Sequence, residues 1–146
     1  MTMSQRLIKD VIQSQSVATM PATATVREAA IAMAKRRIGA ILVIEQGVLA
    51  GIFTERDGLF RVLAEGLDPE STPLAAVMTR NLTTITPDKP LVNALHLMHE
   101  NGFRHMPVVV KSVPVGMLSV RDALDFELVS LLKDIEKKEA LTEILR

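Results

Sequence analysis

The chain has 146 residues, 48% hydrophobic and only 3% aromatic, which suits a single domain with an aliphatic core. Its 17 basic side chains balance 17 acidic ones, and this argues against nucleic-acid binding, since duplex-binding proteins usually carry a basic excess. The lack of cysteine excludes disulfides, thiolate zinc sites and cysteine nucleophiles.

The N-terminal segment, residues 1–15, is interpreted as a polar helix without the apolar stretch of a signal peptide. No run in the chain approaches the roughly 20 apolar residues that a membrane-spanning helix needs. We therefore expect a cytoplasmic protein with no membrane association.

The next element is predicted to be an amphipathic helix that begins after Thr25. Thr25 is followed three residues later by Glu28, the pattern of a capping box. Apolar residues then recur at helical spacing: Val26, Ala29, Ala30, Met33 and Ala34.

Two apolar runs rich in β-branched residues follow, at 40–44 and 48–53. Such runs predict strands that are buried on both faces, and Gln46-Gly47 between them predicts a turn. Thr54 then opens a second helix. Residues 66–72 form a connector.

The same order of elements recurs 65 positions later. The segment 51–57 aligns without a gap with 116–122, and the offset also pairs Val26 with Leu91 and Met33 with Met98. A unit of about 60 residues with one small sheet buries its helices poorly alone, so we expect two units packed sheet to sheet.

The second unit ends in a long predicted helix over 122–146. Its lysines form a solvated side, and its apolar stripe predicts self-association. That stripe consists of Leu124, Leu128, Leu131, Leu132 and Ile135.

Several short motifs, in this order and duplicated, carry a family resemblance. They are Val77-Met78-Thr79, Thr84-Ile85-Thr86-Pro87-Asp88, Arg104-His105-Met106-Pro107-Val108-Val109, Gly116 and Ser119-x-x-Asp122. With them the chain resembles the cystathionine-β-synthase (CBS) domain family over about residues 5–128.

The resemblance implies an α/β fold of two tandem β-α-β-β-α repeats about a pseudo-twofold axis, with N- and C-terminal helices. We expect repeat one at 5–65, a connector at 66–76, repeat two at 77–128 and a helical extension at 129–146. The family also implies adenine-nucleotide binding between the repeats, without catalysis, and a homodimer.

The pairs Thr54-x-x-Asp57 and Ser119-x-x-Asp122 lie where a strand passes into a helix. A helix N-terminus attracts phosphate, and the carboxylate can accept hydrogen bonds from both ribose hydroxyls. The same pattern is also an ordinary helix cap, and both readings can hold for one pair.

The resemblance implies a main cleft in which the ribose-binding aspartate of repeat one faces a basic pair in repeat two. Arginine can hold phosphate oxygens in bidentate fashion, and histidine adds a donor. The expected nucleotide-binding residues are Thr54, Arg56, Asp57, Asn81, Leu82, Thr83, Arg104, His105, Met106 and Pro107.

A second cleft is implied by symmetry. Gly39-Ala40 stands there in place of Arg104-His105, so we expect weaker phosphate binding, a neutral adenosyl ligand or no ligand. The residues of this cleft are Val17, Ala18, Gly39, Ala40, Ser119, Arg121 and Asp122.

Other polar residues have plainer readings. Arg56 and Arg121 either contact phosphate or form surface ion pairs. His96 and His99 have metal-ligand spacing, but nothing completes a site, so we expect no metal.

No phosphate-binding loop or nucleophile motif is present, which favours a regulatory module with an unidentified effector partner. The alternative is a ligand-free structural or protein-interaction module.

Overall fold

The structure, a computed structural model, describes residues 6–144. The first half comprises α1 (Ile8–Ile12), β1 (Thr19–Pro21), α2 (Val26–Arg36), β2 (Ala40–Glu45), β3 (Val48–Thr54) and α3 (Glu55–Asp57), which continues as a π-helix (Gly58–Leu63). The second half comprises α4 (Leu74–Val77), α5 (Leu91–Asn101), β4 (His105–Val110), β5 (Val113–Ser119) and α6 (Val120–Ile144).

Each repeat contains one small sheet. In repeat one the strand order is β1-β2-β3, with β1 parallel and β3 antiparallel to β2. In repeat two β4 and β5 pair in antiparallel fashion. The place of β1 is taken there by a single parallel bridge, Ile85 to Val108, which is equivalent to the Met20–Val43 pairing of repeat one.

The helix α2 begins and packs as its pattern predicts. The Thr25 hydroxyl accepts a 3.2 Å hydrogen bond from the backbone N–H of Glu28, and Val26, Ala29 and Met33 are buried. The buried face of α2 is narrower than the predicted apolar stripe, since Ala30 and Ala34 are exposed.

The two short helices α1 and α4 each pack against the other repeat. Ile8 and Ile12 belong to the core of repeat two, whereas Leu74 and Val77 belong to the core of repeat one. Within segment 1–15 the structure has the predicted helix at Ile8–Ile12. The prediction that this helix is polar is wrong, because the isoleucines four residues apart give α1 a buried face. Residues 1–5 of that prediction lie outside the described residues.

A third apolar cluster joins the two repeats, as sheet-to-sheet packing requires. Ala40, Leu42 and Ile52 of repeat one are buried against side chains that include Leu82 and Met117. At the edge of this contact the backbone N–H of Leu49 donates to the Ser112 carbonyl over 2.9 Å. The hollows on either side of this cluster are the inter-repeat clefts.

The helix α6 extends well past repeat two. Arg6 lies 3.9 Å from both Glu127 and Asp134 and so links the N-terminal segment to this helix. Its apolar stripe remains largely open to solvent: Leu124, Leu128, Val129, Leu131, Leu132, Ile135 and Leu141 are exposed. Within residues 6–144 no helix combines the length and apolar character that crossing a membrane requires.

Candidate functional site

Each cleft is organised by the junction of a strand with a helix. The N–H of Glu55 donates to the Gly39 carbonyl over 3.0 Å, and the N–H of Val120 donates to the Arg104 carbonyl over 2.9 Å. These two bonds are equivalent under the 65-residue offset. They hold the residue that precedes the first hairpin strand against the first turn of the following helix in each repeat.

The first cleft is a hollow of about 260 Å³ lined by residues of both repeats. Nine of the ten residues predicted for the main cleft line it, all except Met106. Met106 is fully buried in the core of repeat two, because alternate side chains of β4 point to opposite faces of the sheet. Ile52, which the resemblance implied as an apolar flank for the adenine, also lines this cleft. The cleft residues that the prediction missed are Glu55, Thr79, Gly102 and Phe103.

Asp57 is the buried carboxylate of this cleft, with 8% of its surface exposed. Its Oδ2 accepts hydrogen bonds from the Thr54 N–H at 2.9 Å and the Thr54 hydroxyl at 3.1 Å. Its Oδ1 lies 3.5 Å from Arg61 Nε. Thr54 and Asp57 therefore form the helix cap that the sequence pattern predicts. The lone pairs that remain on the two carboxylate oxygens could accept hydrogen bonds from ribose hydroxyls.

His105 is half-buried and borders both clefts. Burial lowers the pKa of its imidazole below the ordinary value, an effect that Glu55 and Asp122 oppose and Arg104 reinforces. The imidazole of the free protein is consequently neutral at neutral pH. A neutral imidazole can still donate one hydrogen bond to a phosphate.

The second cleft is a larger, open groove of about 1790 Å³. All seven residues predicted for it line this groove, and Glu55, Arg104 and His105 line both clefts. A Cβ on Gly39 would lie 3.5 Å from His105 Cε1, which shows how closely the repeats approach at this point.

The second cleft is also bordered by two cations that were not predicted from the sequence. Arg36 and Arg37, at the C-terminal end of α2, border the groove. Comparison of Gly39-Ala40 with Arg104-His105 missed them because the cations lie a few residues earlier. A signal was present in the sequence, since Arg37 occupies the position of Gly102 in repeat two.

Asp122 differs from its counterpart Asp57. The N–H of Asp122 donates to the Ser119 hydroxyl at 2.9 Å, so the backbone half of the cap is present. The side chain is exposed, and its carboxylate has no hydrogen bond or ion pair with any residue in the described range. It is open to ligand hydroxyls.

The structure places the remaining candidate residues at the surface. Arg56 and Arg121 are exposed, and neither forms an ion pair within residues 6–144. His96 lies 3.0 Å from Glu100 on the exposed side of α5. The part of the chain that the structure describes holds no group of three metal-ligating side chains.

Comparison with known proteins supports the resemblance. The CBS domain profile matches residues 8–63 and 74–128. The chain is 38% identical to the CBS domain-containing protein YhcV of Bacillus subtilis over 115 residues, which cover 79% of this chain and 81% of YhcV. It is 33% identical to CBSCBSPB1 of Arabidopsis thaliana over 97% of its own length but only 26% of that protein.

Among solved structures, the CBS domain pair of protein MJ0100 superposes with a TM-score of 0.74 and 26% identity, over 82% of this chain and 94% of that one. That structure is a complex with 5′-methylthioadenosine and S-adenosyl-L-methionine. These matches and the two-repeat architecture confirm the predicted α/β fold, and the chain belongs to the CBS domain family.

Proposed function

We propose that this CBS domain pair binds an adenine nucleotide in the first cleft and acts as a regulatory module rather than an enzyme. The observation that carries the proposal is the convergence of polar side chains from two repeats on one hollow: Thr54 and Asp57 from one side, Arg104 and His105 from the other. The related MJ0100 pair, which binds two adenosyl compounds, supports the ligand class.

The proposed pose follows from the chemistry of the lining. Apolar Ile52 and Leu82 flank the adenine, the Asp57 carboxylate accepts from the ribose, and Arg104 with His105 holds the phosphate. A hollow of about 260 Å³ lies just below the usual range of ligand sites, roughly 300–1,000 Å³. The nucleoside therefore fills the hollow and the phosphate lies at its rim.

A regulatory role follows from the position of the site between the two repeats, each of which supplies part of its wall. Because the cleft walls come from both repeats, a ligand that contacts both changes the free energy of their relative arrangement. A ligand shifts such an equilibrium only by its differential affinity for the two arrangements. Occupancy of the cleft would thus be reported at the outer surfaces of the pair.

The test is calorimetric titration of AMP into the wild type and two variants, Asp57→Asn and Arg104→Ala. Loss of a hydrogen bond to a charged group costs about 1.5–3 kcal/mol, so each variant should bind AMP about tenfold or more weakly. Asparagine is chosen because it keeps a side-chain acceptor for the Thr54 N–H. Asp10→Asn is the matched control, since Asp10 caps α1 in the same way away from both clefts.

Wild-type affinity in both cleft variants would reject the assignment of the site. A thermal-shift screen tests the ligand class itself, because a ligand at 100 times its dissociation constant stabilises the native state by about 2.7 kcal/mol. If no adenine nucleotide, NAD or S-adenosylmethionine shifts the melting temperature, the chain is instead a ligand-free structural or interaction module.

A further inference from the structure

We infer that Arg61 is a positioning residue of the first cleft, which orients the Asp57 carboxylate for the ribose and sets the preference for ribose over a sugar without hydroxyls. The inference rests on the proposed function and deepens it. Arg61 itself lies outside the lining of the cleft, so it acts through other residues. The contacts of its guanidinium with two parts of the chain carry the inference.

The Arg61 guanidinium joins Asp57 to the start of repeat two. Its Nε lies 3.5 Å from Asp57 Oδ1, and its Nη1 donates to the Val77 carbonyl at 3.3 Å and to the Met78 carbonyl at 3.4 Å. The N–H donors of arginine are fixed in one plane. The two carbonyl oxygens therefore determine where the guanidinium meets the carboxylate.

Arg61 holds the second oxygen of this carboxylate. Thr54 binds Oδ2 of Asp57 through its N–H and its hydroxyl, whereas Oδ1 has Arg61 as its partner among residues 6–144. A carboxylate that is held at one oxygen can still rotate, and one that is held at both cannot. Since Asp57 lines the cleft, the direction of its remaining lone pairs decides how well it accepts from a ribose hydroxyl.

The same guanidinium also holds a part of the cleft wall. One residue beyond Met78, Thr79 pairs with Ile52 through two backbone hydrogen bonds of 3.0 and 2.9 Å. The segment 77–83 then continues along the cleft, and four of its residues line it: Thr79, Asn81, Leu82 and Thr83. Arg61 thus fixes the carboxylate of repeat one relative to the wall that repeat two contributes.

The helix that carries Arg61 differs from its counterpart in repeat two. Residues 58–63 form a π-helix, whereas the equivalent residues 123–128 belong to the α-helix α6. Phe126 stands there at the position of Arg61, and the Asp122 carboxylate has no ion pair within the described part of the chain. Short π-helical turns occur frequently at functional sites. The irregular turn and the ion pair thus occur together, in the repeat whose aspartate is buried.

Stability alone does not account for this arginine. Its side chain is 50% exposed, against 11% for Asp57, and ion pairs with an exposed partner contribute little to folding. We therefore expect Arg61→Gln to lower the melting temperature by at most about 4 °C. The effect of this substitution on ligand selectivity should be the larger one.

The experiment measures how strongly the protein prefers AMP to 2′,3′-dideoxy-AMP, which lacks both ribose hydroxyls. AMP is titrated by calorimetry, and the dideoxy compound is measured by its competition with AMP. Arg61→Gln should weaken AMP binding about five- to tenfold, the loss typical of one hydrogen bond, and should change binding of the dideoxy compound less than about twofold. Arg61→Lys, which keeps the charge without the planar fork, should restore part of the AMP affinity.

A double variant shows whether Arg61 acts through Asp57. Asp57→Asn should itself reduce the preference for AMP over the dideoxy compound. Adding Arg61→Gln to Asp57→Asn should then change the AMP affinity less than about twofold, because the effects of residues in one hydrogen-bonded network are not additive. A purely structural role of Arg61 would instead weaken both ligands equally in every background.

Hydrogen exchange on the free protein tests the contact with the segment 77–83 without any ligand. In Arg61→Gln the amides of Ile52 and Thr79 should exchange faster than in the wild type, because their pairing loses a neighbouring support. The amides of Ile85 and Val109 donate at the bridge between residues 85 and 108 in repeat two. They should exchange at the wild-type rate.

Arg27→Gln is the matched control for all three measurements. It removes an exposed arginine that pairs with Glu70, outside both clefts, and should behave as the wild type does. Three results each overturn the inference while leaving the proposed function intact: wild-type AMP affinity in Arg61→Gln, an equal loss of AMP and the dideoxy compound, or unchanged exchange at Thr79. If no adenine nucleotide binds the wild type, the proposed function fails, and this inference fails with it.

Discussion

Asp57 and Asp122 occupy the same position in the two repeats and yet have different electrostatic surroundings. Asp57 is buried and lies 3.5 Å from Arg61, one helical turn further on. The residue equivalent to Arg61 in repeat two is Phe126, so Asp122 has no such cation and stays exposed. The residue one turn further on is therefore one reason why Asp57 is paired with a cation and Asp122 is not.

His105 gives the proposed first-cleft site a defined pH dependence. Burial lowers its pKa in the free protein, against the opposing charges of Glu55 and Asp122 and with the support of Arg104. A bound phosphate favours the protonated imidazole and so raises that pKa. Binding then takes up protons through His105, and this contribution to AMP affinity should grow as the pH falls from 8 to below the ordinary histidine value of about 6.5.

The measurement is AMP affinity by calorimetry at several pH values, for the wild type and His105→Gln. AMP itself gains a proton near pH 6, which weakens binding equally in both proteins, so the ratio of the two affinities isolates the histidine. A ratio that stays constant between pH 8 and pH 5.5 would remove His105 from the phosphate contacts.

At the scale of the elements, α1 and the segment after α4 each cross the sheet of the other repeat, and two glycines permit it. A Cβ on Gly116 would lie 2.9 Å from three side-chain atoms of Ile12. A Cβ on Gly51 would lie 2.8 Å from both Met78 Sδ and the Thr79 carbonyl oxygen. These glycines are 65 residues apart, and each allows a segment of the other repeat to pass close to the strand that contains it.

Alanine at either crossing should therefore destabilise the fold. We expect Gly116→Ala and Gly51→Ala each to lower the free energy of unfolding by about 1–3 kcal/mol, the usual cost of overpacking, as measured by urea denaturation. Gly58→Ala is the matched control. Its Cβ would meet only Phe53 Cζ at 3.6 Å in a right-handed helical conformation, so it should be neutral or stabilising. Unchanged stability in both crossing variants would contradict this account of the crossings.

The elements also show how far the sequence could predict the structure. Helices α2 and α5 and the four strands β2 to β5 lie where periodicity and β-branched runs placed them, because each buries a face against a local core. The crossing of α1 to the other repeat was not predictable from the sequence pattern, since its core partners, such as Leu91 and Leu118, lie in the second half of the chain. The π-helix Gly58–Leu63 likewise left no signal in the apolar spacing.

The family resemblance placed most of the candidate residues together in both clefts. Nine of the ten residues predicted for the first cleft line it, and all seven predicted for the second line that one. Met106 was misplaced because a motif names consecutive residues, whereas a strand presents only alternate ones to a cleft. Arg36 and Arg37 were missed because their contribution depends on where the end of α2 points, which no local pattern records.

At the scale of the whole molecule, the two clefts lie next to each other along the interface between the repeats. Glu55, Arg104 and His105 line both, so a ligand in one cleft contacts residues that also border the other. Any coupling between the sites must be reciprocal. Under the proposed function, the pair would respond to the combined occupancy of its clefts, and an exposed surface would be needed to pass that response to another chain.

The exposed helical surfaces provide such a place, and we predict that the protein is a homodimer through them. The π-helix leaves Leu59, Phe60 and Leu63 exposed by 52%, 56% and 73%, and α6 adds its own apolar stripe. Large apolar side chains exposed together on helices usually mark an interface, and a stable dimer buries about 1,200–2,000 Å² in total.

Sedimentation velocity at tens of micromolar protein tests this prediction. The wild type should sediment as a dimer, and Phe60→Glu and Leu63→Glu should shift it toward the monomer, because burying an unpaired carboxylate at an apolar interface is unfavourable. Val48→Glu provides the control, since Val48 is 41% exposed in the hairpin of repeat one, away from these helices. A wild type that sediments as a monomer, or glutamate variants that remain dimeric, would show that the π-helix surface faces solvent or a different partner.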